Sequence, residues 1–93
     1  MASKLLERLR QKILAGQYLI PFHAAGEMDD ENYDTFDLEN IILTGSIIRR
    51  QRDPNTHEQK YVVRGRSVED FESCCVVELG PRGDVVFVTV WSE

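Results

Sequence analysis

An α+β domain, with N-terminal helices packed on one face of a four-stranded antiparallel meander sheet, is what the order of patterns along the chain predicts. Three observations carry this. Apolar residues recur at helical spacing as far as Gly45, the period becomes extended from Ser46 onward, and two apolar runs, Cys74–Leu79 and Val85–Trp91, flank the turn Gly80-Pro81-Arg82-Gly83-Asp84 as a hairpin. The helical part is assigned to residues 3–45 and the sheet part to 46–92 of a single domain, 1–93. A chain of this length has room for one core and buries only about 60 to 65 per cent of the surface its unfolded form exposes.

The first helix begins at a capping Ser3, runs through Leu5, Leu6, Leu9, Ile13 and Leu14 at i, i+3 and i+4 spacing, and stops at Gly16. Its polar side holds Lys4, Arg8, Arg10 and Lys12. Tyr18 to Phe22 is a short apolar link broken by Pro21 and is expected to cross the core without forming a strand. A second helical stretch covers His23 to Met28, where His23 and Glu27 stand four apart on one face. The acidic residues from Asp29 to Glu39 then read as an exposed turn, with Thr35 capping a third helix whose Leu38, Ile41 and Ile42 face the core and which ends at Thr44-Gly45.

Ile47–Arg52 is the first strand and Lys60–Arg66 the second, joined by a polar loop. In the second strand Tyr61 and Val63 point one way while Lys60, Arg64 and Arg66 point the other, making a basic row that Arg49, Arg50 and Arg52 extend across the sheet. Strict alternation in the last strand sets Val85, Phe87, Thr89 and Trp91 on one face and Val86, Val88 and Val90 on the other. In the strand before it, Cys75, Val77 and Leu79 form the apolar face. Adjacent Cys74 and Cys75 point to opposite faces, do not pair with each other, and read as reduced core residues.

The formal charge of −5 is unevenly spread: +3 over residues 1–23, −7 over 24–48, +4 over 49–66 and −5 over 67–93. The total disfavours a nucleic-acid partner, whereas the separate basic blocks suit phosphate, because guanidinium binds it in bidentate fashion. No apolar run approaches the roughly 18 residues that span a bilayer, and the charged N-terminus lacks the apolar centre of a signal peptide, so a cytoplasmic protein without a membrane partner is expected. Asp30, Asn32 and Asp34 imitate the start of a calcium loop, but Thr35 stands where glycine is needed and Ile41 where the bidentate glutamate belongs. His23 and Glu27 supply two ligands at most, so neither a metal nor another cofactor is expected.

His23-Ala24 with Glu27-Met28, the acidic turn, the helix ending Ile41-Ile42-Leu43-Thr44-Gly45, then Ile47-Ile48, the strand Lys60-Tyr61-Val62-Val63-Arg64-Gly65 and the closing Val88-Thr89-Val90-Trp91 together resemble the domain-of-unknown-function 4258 family over about residues 18 to 92. That family looks like a distant relative of RelE-like and BrnT-like toxin ribonucleases, which cleave RNA without metal and are encoded beside an antitoxin. The resemblance implies attack of a 2′-hydroxyl on the adjacent phosphate, with His23 as base or acid, Glu27 orienting it, Tyr61 as proton donor or stacking ring, and Arg64 as transition-state contact. Lys60, Arg66, Arg49 and Arg50 would hold the RNA. Glu27 before Met28, and Asp29 to Glu31 after it, depart from the family's commoner basic pattern there. The expected partners are RNA and an antitoxin-like protein, with a homodimer left open. The rival reading is a non-catalytic module that recruits a protein strand to a free sheet edge.

Overall fold

The computed structural model describes residues 3–93. Helix α1 (Lys4–Leu14) is capped by the Ser3 hydroxyl, which accepts from the Leu6 amide, and it buries Leu6, Leu9 and Ile13. Gly16, at φ 73°, supplies the left-handed turn after the helix, and its amide donates back to the Ile13 carbonyl. Strand β1 (Tyr18–Leu19) follows, then helix α2 (Phe22–Glu31), helix α3 (Thr35–Thr44), and strands β2 (Ser46–Arg52), β3 (Gln59–Arg66), β4 (Glu72–Leu79) and β5 (Val85–Ser92).

The sheet therefore has five strands, in the order β1-β5-β4-β3-β2. The four-stranded meander is present as β2 to β5, but the short apolar link is itself a strand, pairing parallel to β5 through Tyr18↔Val85 and Leu19↔Val86. The sheet is mixed. A two-residue strand carries almost no alternation signal, and the parallel pairing is available only because the chain returns β5 to the site β1 left open.

One face of the sheet is covered. Tyr61 and Val63 of β3, Cys75 and Val77 of β4, and Val85, Phe87 and Val90 of β5 join Leu9, Ile13, Leu38, Ile41, Ile42 and Met28 in one core. Leu38, Ile41 and Ile42 of α3 are wholly removed from water, each contributing about 1.5 to 3 kcal/mol. Helix α2 straddles the β5 border of the sheet: Met28 reaches the core, while Glu27 bonds Thr89, which pairs with Val76 on the opposite face.

Two bulges overturn the alternation expected for the strands. In β5 the register shifts opposite Val76 and Val77, leaving Val88 as the extra residue, so Phe87 and Val90 are both core while Thr89 and Trp91 move to the uncovered face. In β2 the extra residue is Ile48, so Arg49 pairs with Val62 on the uncovered face and Arg50 with Tyr61 on the other. Of the three arginines expected to extend the basic row, only Arg49 does so; Arg50 and Arg52 have the opposite parity.

The acidic segment also differs from the exposed turn. Asp29 to Glu31 continue α2, which ends at Asn32 in the left-handed region, φ 60°. The cap of α3 is Asp34, one residue before Thr35: its side chain accepts from the Asp37 amide at 3.0 Å, while Asp37 accepts from the Asp34 amide at 2.9 Å. This reciprocal pair is a capping box, which a carboxylate one position outside the helix closes and Thr35, already helical, does not. Asp37 is buried and its other oxygen accepts from the Val68 amide at 2.9 Å. At the far end of α3, Arg10 donates to the Ile42 and Gly45 carbonyls, holding a cation against the negative end of the helix dipole.

Tyr18 joins β1 to α3. Its hydroxyl donates to Glu39 at 2.7 Å and its ring meets Phe87 edge-on at 5.7 Å. Burial, then the adjacent carboxylate, push the phenol up from 10.0 to about 12. The unfolded chain would release this proton near 10 and the folded chain near 12, so the unfolded state binds fewer protons between those values. The contribution is complete below pH 10 and is lost as the pH rises toward 12. Urea titrations at stepped alkaline pH should record this fall in stability, and Tyr18→Phe should flatten it.

Candidate interaction surface

The two α2 residues predicted to act as a pair serve β5 separately. His23 Nε2 lies 2.6 Å from the Val88 carbonyl. A carbonyl only accepts, so Nε2 is the donor in this bond. Val88 is the bulged residue of β5, beyond the two positions that β1 pairs, and the imidazole supplies a donor at this sheet border. Glu27 Oε2 accepts from Thr89 Oγ1 at 2.5 Å, and Oε1 is buried with no partner among the described residues.

The β3 residues divide between two faces. Tyr61 is buried on the core face, its hydroxyl donating to Gln59 at 2.7 Å. Lys60, Arg64 and Arg66 lie on the uncovered face, as alternation predicts, opposite Glu78, Cys74 and Glu72 of β4. Arg64 is engaged by Glu72 at 3.7 Å and Glu93 at 3.4 Å, and Arg66 by Asp70 at 3.6 Å. The Cys74 thiol donates to the same Glu93 carboxylate at 3.0 Å, which with Arg64 holds that carboxyl below its ordinary range. Burial pushes the Cys74 thiol up, and burial pushes Cys75 up further still, so both sulfurs are poor nucleophiles.

The structure thus distributes the predicted catalytic set. His23 and Glu27 sit at the β5 border, Tyr61 on the core face, and Arg64 two strands away on the uncovered face, and none of the four lines a main cleft of the described residues. Among the described residues no group of three or more His, Cys, Asp or Glu side chains is arranged to hold a metal ion, and no helix is long and apolar enough to cross a membrane.

Arg49 and Arg50, predicted to contact phosphate, are brought together. They line a cleft of about 470 Å³ between β2 and the start of α1, facing Ser3, Leu6 and Arg10. Arg49 also borders a groove of about 290 Å³ across the uncovered face, with Ile48, Val62, Val76 and Trp91. Arg49, Arg50 and Arg52 form no ion pair among the described residues, in contrast to Arg64 and Arg66. Sequence reasoning missed Ser3, Ile48 and Trp91 as lining residues. Trp91 faces the groove only because of the bulge at Val88, and Ser3 reaches the cleft only through the packing of α1 beside β2.

A family model described as a domain of unknown function, DUF4258, matches residues 20–92. The chain belongs to the DUF4258 family. The DUF4258 match begins after α1 and β1 and takes in strands β2 to β5, so the helix walling the larger cleft lies outside the matched segment. No curated protein and no solved structure matches the chain.

Proposed function

We propose that this DUF4258 protein is a non-catalytic interaction module that recruits a protein partner through the outer edge of its sheet, at β2. The observation that carries the reading is that three arginines without an ion pair among the described residues, Arg49, Arg50 and Arg52, stand together on the edge strand, while the residues a ribonuclease would use lie apart and are engaged elsewhere. A cytoplasmic setting accords with two free cysteines, Cys74 and Cys75. Purified protein incubated with RNA is expected to leave it intact. His23→Ala and Arg64→Ala should each shift unfolding by no more than about 1 kcal/mol, the scale of an exposed hydrogen bond or ion pair. Cleavage that either substitution abolishes would overturn the module.

A second reading keeps the toxin-like ribonuclease, with RNA and an antitoxin-like protein as partners and a distant relation to RelE-like and BrnT-like enzymes. What favours it is the shared uncovered face of Arg49, Lys60, Arg64 and Arg66 beside the Trp91 groove, where a ring and several cations suit a single strand. It predicts RNA cleavage by the purified protein and growth arrest on expression.

A further inference from the structure

We propose that β2, with the cleft beside α1, docks an acidic extended protein segment added as a sixth strand to the sheet. The inference rests on the module reading above and names the chemistry of its partner. Among the described residues β2 is the outermost strand, with β3 on one side and no strand on the other, so one row of its backbone amides and carbonyls is available for strand addition. The cleft along Ser46 to Arg50, about 470 Å³, lies within the size range of ligand-holding clefts and gives an incoming chain room between β2 and α1.

The charges select the occupant. The bulge at Ile48 turns Arg49 to the uncovered face and Arg50 to the face that carries Tyr61. An added strand therefore meets an unpaired guanidinium on each face, and neighbouring carboxylates, which alternate in direction along a strand, answer both. Ile48, 46% exposed and next to Arg49 on the strand, offers the added strand an apolar contact beside them. A second copy of the chain fits worse, because two β2 strands laid edge to edge set arginine against arginine. An RNA strand also fits worse: phosphates only accept hydrogen bonds, whereas a strand edge presents carbonyls as well as amides, and the chain's net charge is −5.

The test uses the full-length protein and a fluorescein-labelled eight-residue peptide of valine alternating with glutamate-aspartate pairs, followed by anisotropy and by amide chemical shifts. Binding should perturb Ser46 to Arg52, weaken with added salt, and fall by about tenfold or more in R49E/R50E, whose fold is checked by circular dichroism. A lysine version of the peptide should bind R49E/R50E better than the native protein. Methylating alternate peptide amides should abolish binding, since it removes the strand's donors. The proposal is overturned by a peptide that does not bind, which would leave the arginines as a guard against edge aggregation. It is equally overturned by binding indifferent to methylation, by displacement of the peptide from β2 by oligouridylate, or by self-association that R49E/R50E abolishes. Intact RNA with no bound peptide defeats this inference alone; cleaved RNA defeats the module reading beneath it.

Discussion

Gly65→Ala is expected to lower the unfolding free energy by about 3 kcal/mol, the upper end of ordinary overpacking, because the displaced neighbour is backbone and not a side-chain tip. A β-carbon at Gly65 would stand 2.1 Å from the Ile41 carbonyl oxygen and 3.0 Å from the Gly45 α-carbon. The clash is mutual, since a β-carbon on Gly45 would come within 2.4 Å of the same oxygen and 2.5 Å of the Arg64 carbonyl. The two glycines let the end of α3 lie directly on β3, and Thr44 and Asn40 use that contact to hydrogen-bond the Arg66 amide and carbonyl. Separating them loosens both the helix packing and these bonds. For a domain of this size the melting temperature should fall by about 12 to 24 °C. Gly26→Ala is the control: exposed in mid-α2 with nothing within 4 Å, it should stabilise by about 0.5 to 1 kcal/mol. A Gly65→Ala protein melting with the wild type would refute the close approach.

Asp37→Ala should cost about 2 to 3 kcal/mol in urea unfolding, since it removes a charged acceptor from two backbone amides at once, Asp34 and Val68. Both bonds hold separate elements: the first closes the start of α3, the second ties that start to the turn between β3 and β4. Asp37→Asn, which keeps one acceptor oxygen, should fall between alanine and wild type. Asp30→Ala, at an exposed site in the last turn of α2, should be neutral or slightly stabilising, because a carboxylate there opposes the helix dipole. Equal effects from Asp37→Ala and Asp30→Ala would contradict the distinction between them.

That contrast marks where the sequence was readable. The carboxylates from Asp29 to Glu39 look alike in the chain, and only the position of Val68, 31 residues after Asp37, separates the buried one from the rest. The helices were legible because Leu6, Leu9, Ile13, Leu38, Ile41 and Ile42 repeat at helical spacing, and the hairpin of β4 and β5 because a turn with Gly83 at φ 81° joins two β-branched runs. The faces of β5 were legible only to Phe87. One bulged residue reverses every side chain beyond it, so Val90 is core and Trp91 borders a groove. The likeness of residues 18 to 92 to the 4258 family was legible too, and the family match over residues 20–92 agrees with it. The geometry of a site was not, since four residue types suited to one reaction lie on three different parts of the sheet.

Local chemistry along the chain determined the α+β class, the helix spans to within a few residues, the four meander strands and the basic row of Lys60, Arg64 and Arg66, because period, turns and caps are short-range properties. The tertiary structure alone decided that β1 completes the sheet, that Arg10 caps α3, that His23 and Glu27 bind β5 and not each other, and that Arg49 and Arg50 stand beside the cleft between β2 and α1. The reason is physical: each of those outcomes depends on a bulge, a return of the chain or a partner tens of residues away, and no local spacing encodes a distance of that kind.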